Sequence, residues 1–155
     1  MVEKRGPFPS PLFEKQMADN ILSLTDSVSG EVSASLHTRP IGSPKQAGKI
    51  VSVWLSAGLS GKAETSNALQ VETDILINDV SCLTTKPVIG NASGEAAVKK
   101  TTQSTGDTEI TQAVVNTSAN EFSAGDVITA NHVVTRTSPD SEIINLITVV
   151  EVEPN

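Results

Sequence analysis

The sequence predicts an all-β protein: a single β-sandwich, either jelly-roll or immunoglobulin-like, with an extended N-terminal arm that contains a short helix. Three observations support this. Runs rich in β-branched residues alternate with turn-forming residues over residues 49–153. The chain has 155 residues, which suits one domain. Aromatic residues make up only 3% of it, so the core must be built from aliphatic side chains.

Residues 1–30 form the predicted arm, and residues 31–155 form the predicted β-sandwich. Prolines at alternate positions from Pro7 to Pro11 favour an extended segment without internal hydrogen bonds. Ser10 can then cap a short helix. The helix has one apolar stripe at helical spacing, formed by Phe13, Met17, Ile21 and Leu24.

Two interpretations of the arm remain open: a helix packed on its own domain, or an arm docked on a neighbouring subunit. A stiff segment that carries phenylalanine loses little entropy when it becomes ordered on a partner. The docking interpretation predicts partner contacts at Pro7, Phe8, Pro9, Leu12, Phe13, Met17 and Ile21.

The strands of the sandwich follow one another along the chain. Apolar and polar residues alternate most clearly over residues 69–77. Asn78-Asp79 then interrupts the pattern before Val80 resumes it, which predicts a two-residue hairpin turn. Further strands are predicted at residues 50–55, 80–83, 110–115, 127–135 and 143–152. The expected total of about seven to nine strands is typical of β-sandwiches.

The last predicted strand, residues 143–152, is apolar on both faces for much of its length. A strand of this kind lies either in the centre of a sandwich or at a subunit interface. The interface interpretation assigns the contact to Ile144, Leu146, Val150 and Val152.

No motif predicts a catalytic, cofactor or metal site, so we do not expect an enzyme. The loop 58–63 resembles a phosphate-binding loop, but it lacks both the first glycine and the final Ser or Thr of that motif. The two histidines, His37 and His132, and the single cysteine give no zinc-binding spacing. We expect His132 to be satisfied or solvent-facing within its strand, and Cys82 to be a small buried side chain.

Charge and hydropathy limit the expected partners. The formal net charge is −7 and the 11 basic residues are scattered, so nucleic-acid binding is not expected. No apolar run approaches the length of a membrane span, and the N-terminus has no apolar region of a signal peptide. Synthesis in a cytoplasm, with neither nucleic acid nor membrane as partner, is therefore predicted.

One long stretch carries a resemblance. Residues 50–58, with the sequence IVSVWLSAG, are followed by NALQVETDILIN at 67–78 and by DVSCLTTKPVI at 79–89. AGDVI at 124–128 and TRT at 135–137 come later. Together these segments resemble small virion proteins of tailed bacteriophages, including those encoded near the major capsid gene. The resemblance covers roughly residues 48–152, and it departs at Asp79, where that family usually has Gly.

The resemblance implies a capsid decoration or cement protein, often a homotrimer, that binds the major capsid protein on the outer surface of the virion. Such a subunit cements neighbouring capsomers and needs no cofactor. A head-fibre, tail or receptor-binding subunit is the first alternative. A carbohydrate- or cell-surface-binding β-domain is the second; it should display exposed aromatics, and Trp54, inside a strand, is a poor candidate for that role.

Overall fold

The computed structural model describes residues 20–155, and within them the regular secondary structure is entirely β-strand. This confirms the all-β prediction for those residues. Five of the strands contain only two residues. In chain order the strands are β1 (Leu22–Val32), β2 (Leu36–Gly42), β3 (Gly48–Leu59), β4 (Leu69–Ile77), β5 (Val80–Ser81), β6 (Leu83–Thr85), β7 (Val88–Gly90), β8 (Lys100–Thr101), β9 (Ile110–Thr111), β10 (Val114–Val115), β11 (Glu121–Phe122), β12 (Ile128–Arg136) and β13 (Ile143–Pro154).

The strands form two main antiparallel sheets. The first has the order β1-β13-β3-β11, with β8 also paired to β3. The second has the order β2-β12-β4-β7-β9, with β5 paired to β4. A small pair, β6 and β10, lies apart from both. Apolar residues from both main sheets share two core clusters, so the arrangement is sandwich-like.

Alternation of side chains explains how β4 builds this core. Leu69, Val71, Thr73 and Ile75 are fully buried, and the residues that alternate with them are half-buried. Burying an aliphatic side chain of this size stabilises a fold by about 1.5–3 kcal/mol. The predicted strand at residues 69–77 is confirmed with the same boundaries.

The predicted hairpin after β4 is also confirmed. Asn78 and Asp79 have φ values of 47° and 68°, and Ile77 pairs with Val80 on the other side of the turn. Two successive positive φ values define a type I′ turn, whose twist matches that of the flanking strands. Asn and Asp tolerate this backbone region better than most residues.

The first strand lies where the sequence predicted the end of the arm. Leu24, assigned to the helical stripe, belongs to β1, which pairs with β13 from Leu22 to Val32. Asp26 is buried at an inward position of β1, where period-two patterning calls for an apolar residue, and this obscures the strand in the sequence. Residues 1–19 lie outside the described part of the chain, and with them the predicted docking residues Pro7, Phe8, Pro9, Leu12, Phe13 and Met17.

The strand predicted at residues 143–152 is present as β13, but its buried face belongs to the chain's own core. It lies between β1 and β3. Three of the four residues predicted for a subunit interface are buried in the two core clusters: Leu146, Val150 and Val152. They are therefore unavailable to a partner, while Ile144 is half-buried. Apolar residues also occupy the outward face, because Ile147 and Val149 alternate with the core positions.

Candidate functional site

Four polar side chains meet between the two sheets; we call them the Asp26 cluster. Asp26 comes from β1 of the first sheet, and Arg39, Thr73 and His132 come from β2, β4 and β12 of the second. Arg39 donates from Nε to Asp26 Oδ2 and from Nη2 to Oδ1, each at 2.7 Å. His132 Nε2 lies 3.1 Å from Asp26 Oδ2, and its Nδ1 lies 2.8 Å from Thr73 Oγ1. The cluster thus links the open edges of both sheets, because β1 and β2 are edge strands.

Electrostatics in this cluster favour an ionised carboxylate and a neutral imidazole. Hydrogen bonding from Arg39 lowers the pKa of Asp26, against the opposing effect of burial and with a further contribution from His132. Burial lowers the pKa of His132, although the Asp26 carboxylate opposes this. The neutral ring then donates its Nε2 proton to Asp26 and accepts the Thr73 hydroxyl proton at Nδ1. The interior charge is tolerated because it is paired and hydrogen-bonded.

The order hydroxyl, imidazole, carboxylate is that of a hydrolase triad. The environment here is different, because Thr73 and His132 are both 0% exposed. A substrate has no access to a hydroxyl inside the core, and Arg39 occupies both oxygens of the carboxylate. The Asp26 cluster therefore stabilises the fold. His132 was predicted to be either satisfied or solvent-facing, and it is satisfied and buried.

A second polar group, the Lys100 cluster, fixes the connection between β7 and β9. The Lys100 side chain is 1% exposed, and its Nζ donates to the carbonyl oxygens of Gly90 at 2.7 Å and Thr108 at 2.8 Å. It also lies 2.7 Å from Glu95 Oε2. Burial raises the pKa of Glu95, but hydrogen bonds from Lys100, the Ala92 N–H and the Thr108 hydroxyl together hold it below its usual value.

An apolar cleft of about 220 Å³ opens at the N-terminal end of β1. Its apolar walls come from three strands and the nearby chain, at Leu22, Leu24, Pro44, Phe122, Val152 and Pro154. Leu22 is 52% exposed, and the residue before it, Ile21, is 46% exposed. Ile21 is the one predicted docking residue within the described range, and it therefore lies exposed beside an apolar cleft.

A second cleft, of about 270 Å³, lies at Trp54 on β3; we call it the Trp54 cleft. The edge of β3 that faces away from β13 is incompletely paired: β11 covers positions 48–49 and β8 covers positions 56–57. Ser52 and Trp54 lie in the gap, and Thr102, Gln103 and Gln112 also line the cleft. None of the residues that line this cleft is charged.

The remaining residues singled out from the sequence have structural environments. Ser60, within the loop that resembles a phosphate-binding loop, is 0% exposed, and Lys62 lies 3.0 Å from Asp140. Cys82 is 0% exposed, as predicted, and burial is the main cause that raises its thiol pKa to about 12. The thiol form of Cys82 therefore persists at neutral pH and is a poor nucleophile.

Across residues 20–155, no group of three or more His, Cys, Asp or Glu side chains is arranged to hold a metal ion. In the same part of the chain, no helix is long and apolar enough to span a membrane. No family model matches the sequence, and no curated protein matches it. The resemblance over residues 48–152 therefore stays an expectation from the sequence.

Proposed function

We propose that this chain is a capsid decoration or cement protein: a β-sandwich subunit that binds the outer surface of a bacteriophage head and joins neighbouring copies of the major capsid protein. The apolar cleft beside Ile21 and Leu22 is the observation that carries the proposal. It lies where the N-terminal segment joins the first sheet. Exposed apolar surface of this kind, rimmed by polar residues, is typical of protein–protein contact sites.

The attachment of β1 suits a segment that transmits force. β1 pairs with β13 from Leu22 to Val32, so tension on its N-terminal end is shared along the whole strand. The Arg39–Asp26 ion pair also ties β1 to the second sheet. A cement subunit needs such an anchor, because the packaged genome presses outward on the shell it holds together.

A homotrimer remains part of the proposal, with a changed interface. Because Leu146, Val150 and Val152 fill the core, we place the trimer contact on the outward face of β13 instead. Ile147 is 38% exposed on that face and is flanked in the sheet by Ser27 and Ser56. A small apolar centre with a hydroxyl rim is compatible with a modest subunit contact.

Copy number in purified particles tests the proposal. Quantitative mass spectrometry should find the chain in a fixed, high ratio to the major capsid protein. A few copies per particle would instead indicate a fibre, tail or receptor-binding subunit, and contradict the cement role.

Two variants test the docking surface on particles that lack the protein. Leu22→Ser should lower occupancy of the shell, because it removes an exposed wall of the apolar cleft. Val133→Ser is the matched control, since Val133 is 45% exposed on β12 of the other sheet. Deleting residues 1–19 should also lower occupancy while leaving the sheets folded. Unchanged occupancy for both Leu22→Ser and the deletion would refute docking through this end of the molecule.

A further inference from the structure

β1 has a strand on one side only, and an apolar cleft opens at its N-terminal end. We propose that residues 8–13 of the same chain pair with the open edge of β1 as an additional antiparallel strand and place the Phe13 ring in the cleft. These residues lie outside the described part of the chain, which begins at residue 20, just before β1. The inference deepens the docking proposed above by naming what fills the cleft, and its link to a capsid rests on that proposed function.

β1 is a long sheet edge without the usual protection against further pairing. Proteins protect such edges with lysine, proline or a bulge, or by keeping them very short. Residues 22–28 of β1 contain no lysine, arginine or proline, and the register with β13 breaks only after Val28. β2, the corresponding edge of the second sheet, carries Arg39 and Pro40 and breaks register twice. β1 is therefore the long edge that is open to another strand.

Three residues of β1 direct their backbone groups to the open edge: Ser23, Thr25 and Ser27. Successive residues of a strand point their N–H and C=O to opposite edges, so residues two apart share an edge. The Ser27 carbonyl oxygen accepts a hydrogen bond at 3.3 Å from Arg39 Nη2, which belongs to the second sheet. Ser27 therefore faces away from β13, and so do Thr25 and Ser23.

The pairing on the other side of β13 gives the same assignment. Leu55 of β3 accepts a hydrogen bond from Thr102 N at 2.9 Å, so its backbone faces away from β13. Thr148, opposite Leu55, then directs its own N–H and C=O toward β1, where it lies opposite Asp26. The backbone of Asp26 is thus bonded to β13, and that of its neighbour Thr25 is not.

The N-terminal segment has the backbone pattern of a strand that pairs on one side only. Prolines occupy alternate positions from Pro7 to Pro11. A residue that precedes proline favours extended backbone, and proline itself has no N–H to donate. The missing donors fall on one edge of the extended segment, while Phe8, Ser10 and Leu12 keep their N–H and C=O on the other. The segment can therefore complete the edge of β1 without creating a new open edge.

One antiparallel register satisfies both the backbone groups and the cleft. With Ser10 opposite Thr25 and Leu12 opposite Ser23, residues 14–21 form the connecting loop. A connection of this length lets the chain reverse, and it holds the segment at an effective concentration on the order of millimolar beside its own β1. The tether therefore favours the chain's own segment over that of a second copy.

The same register brings apolar side chains of the segment to the cleft. Directly opposite residues share one face of a sheet. Phe13 then lies opposite Leu22. Pro11 lies opposite Leu24, and both leucines line the apolar cleft of about 220 Å³. This volume is below the roughly 300–1,000 Å³ of ligand pockets and suits a single aromatic ring.

Phe8 and Leu12 fall on the other face of the added strand, opposite the exposed residues Ser27 and Ser23. There they extend the outward surface of the first sheet with two apolar side chains. A capsid would meet Phe8 and Leu12 at this surface, while Phe13 is covered. The proposed docking residues thus divide into those that hold the segment in place and those that contact the partner.

Backbone amide hydrogen exchange of the full chain, resolved by NMR, tests the pairing. The Thr25 N–H should exchange at least about tenfold more slowly than an unprotected amide, because it is bonded to the added strand. The Asp26 N–H, bonded to β13, is the internal reference. An unprotected Thr25 beside a protected Asp26 overturns the proposal, and a helix that begins at Ser10 would give that result.

Dilution separates the chain's own segment from that of a second copy. Protection of Thr25 should stay constant when the protein is diluted about tenfold, because pairing within one chain does not depend on concentration. Protection that falls on dilution would assign the added strand to a second copy and overturn the proposal.

Two phenylalanine variants of the same segment should give different results. Phe13→Ser should remove most of the Thr25 protection, because it empties the cleft, while protection of Asp26 shows that the sheets stay folded. Phe8→Ser is the matched control: Phe8 lies on the outward face, so Thr25 should stay protected. Thr25 protection that survives Phe13→Ser overturns the proposal. Capsid occupancy is a separate readout: if Phe8→Ser leaves it unchanged while Thr25 stays protected, docking through this segment fails and the strand pairing stands.

Discussion

Removing the Arg39 guanidinium should destabilise the protein far more than removing an exposed lysine. Arg39→Met keeps an unbranched apolar stem but deletes two hydrogen bonds to Asp26, each 2.7 Å long. The Asp26 side chain is only 8% exposed, and among its partners in the cluster only the neutral His132 then remains. A carboxylate left in the interior without its counter-charge is strongly unfavourable.

The expected magnitude follows from these contacts. A hydrogen bond to a charged group contributes about 1.5–3 kcal/mol, so two of them set an upper range of about 3–6 kcal/mol. The Arg39 side chain is 32% exposed, so water can partly replace it, and solvent screening reduces the effect. We therefore expect Arg39→Met to lower the free energy of unfolding by about 2–3 kcal/mol at pH 7.

This loss should depend on pH with a definite sign. Because the folded-state pKa of Asp26 is lowered from its ordinary 3.8, the ion pair stabilises the fold above that pH. The contribution is lost as the pH falls through the folded-state pKa. The difference between Arg39→Met and the parent protein should accordingly shrink at strongly acidic pH.

Urea unfolding followed by Trp54 fluorescence measures these free energies. Lys49→Met is the matched control: its ammonium lies 3.4 Å from Glu153, and both side chains are 44–45% exposed. We expect the control to change stability by less than about 0.5 kcal/mol. If Arg39→Met were no more destabilising than Lys49→Met, the stabilising role of the Asp26 cluster would be refuted.

Three further predictions concern single residues. The folded-state pKa of His132 is lowered, so below about pH 6.5 the unfolded chain takes up a proton that the folded chain does not, and the parent protein loses stability. His132→Gln should reduce this loss of unfolding free energy. Urea titrations from pH 5 to 8 measure the difference. Asp79→Gly should raise the thermal unfolding midpoint, with a gain of about 0.5 kcal/mol, because Gly suits the second position of a type I′ turn; a lower midpoint would contradict the turn assignment. Cys82 should react with a thiol reagent at pH 8 only as fast as the protein unfolds, since burial holds its pKa at about 12, and fast labelling without denaturant would contradict this.

The predictable parts of the fold are those encoded by neighbouring residues. Buried and half-buried positions alternate over residues 69–77, and Asn78-Asp79 forms the turn that follows. The predictions of this strand and of the hairpin were therefore both correct. Residues 110–115 read as one strand, but they divide into β9 on the second sheet and β10 on the small pair. Residues 22–32 escaped detection because the inward Asp26 breaks the alternation that identifies a strand.

The functional groups were less predictable because their partners are distant in sequence. Asp26 and His132 are separated by 106 residues, and Thr73 and His132 by 59, so no local motif brings them together. Trp54 gains its cleft from a strand that is missing beside β3, which only the tertiary structure reveals. The apolar character of residues 143–152 was correctly recognised, but hydropathy alone cannot tell which of two apolar faces packs in the core and which lies at the surface.

In the Lys100 cluster, the ammonium of Lys100 occupies the position that a bound cation would take in a calcium site. Two carbonyl oxygens and a carboxylate surround Nζ at 2.7–2.8 Å, and oxygens of these kinds are what a hard metal ion takes from a loop. A tethered ammonium cannot be diluted away or extracted by a chelator, because its effective concentration is set by the side chain itself. The long connection between β7 and β9 should therefore keep its shape across environments that differ widely in free calcium.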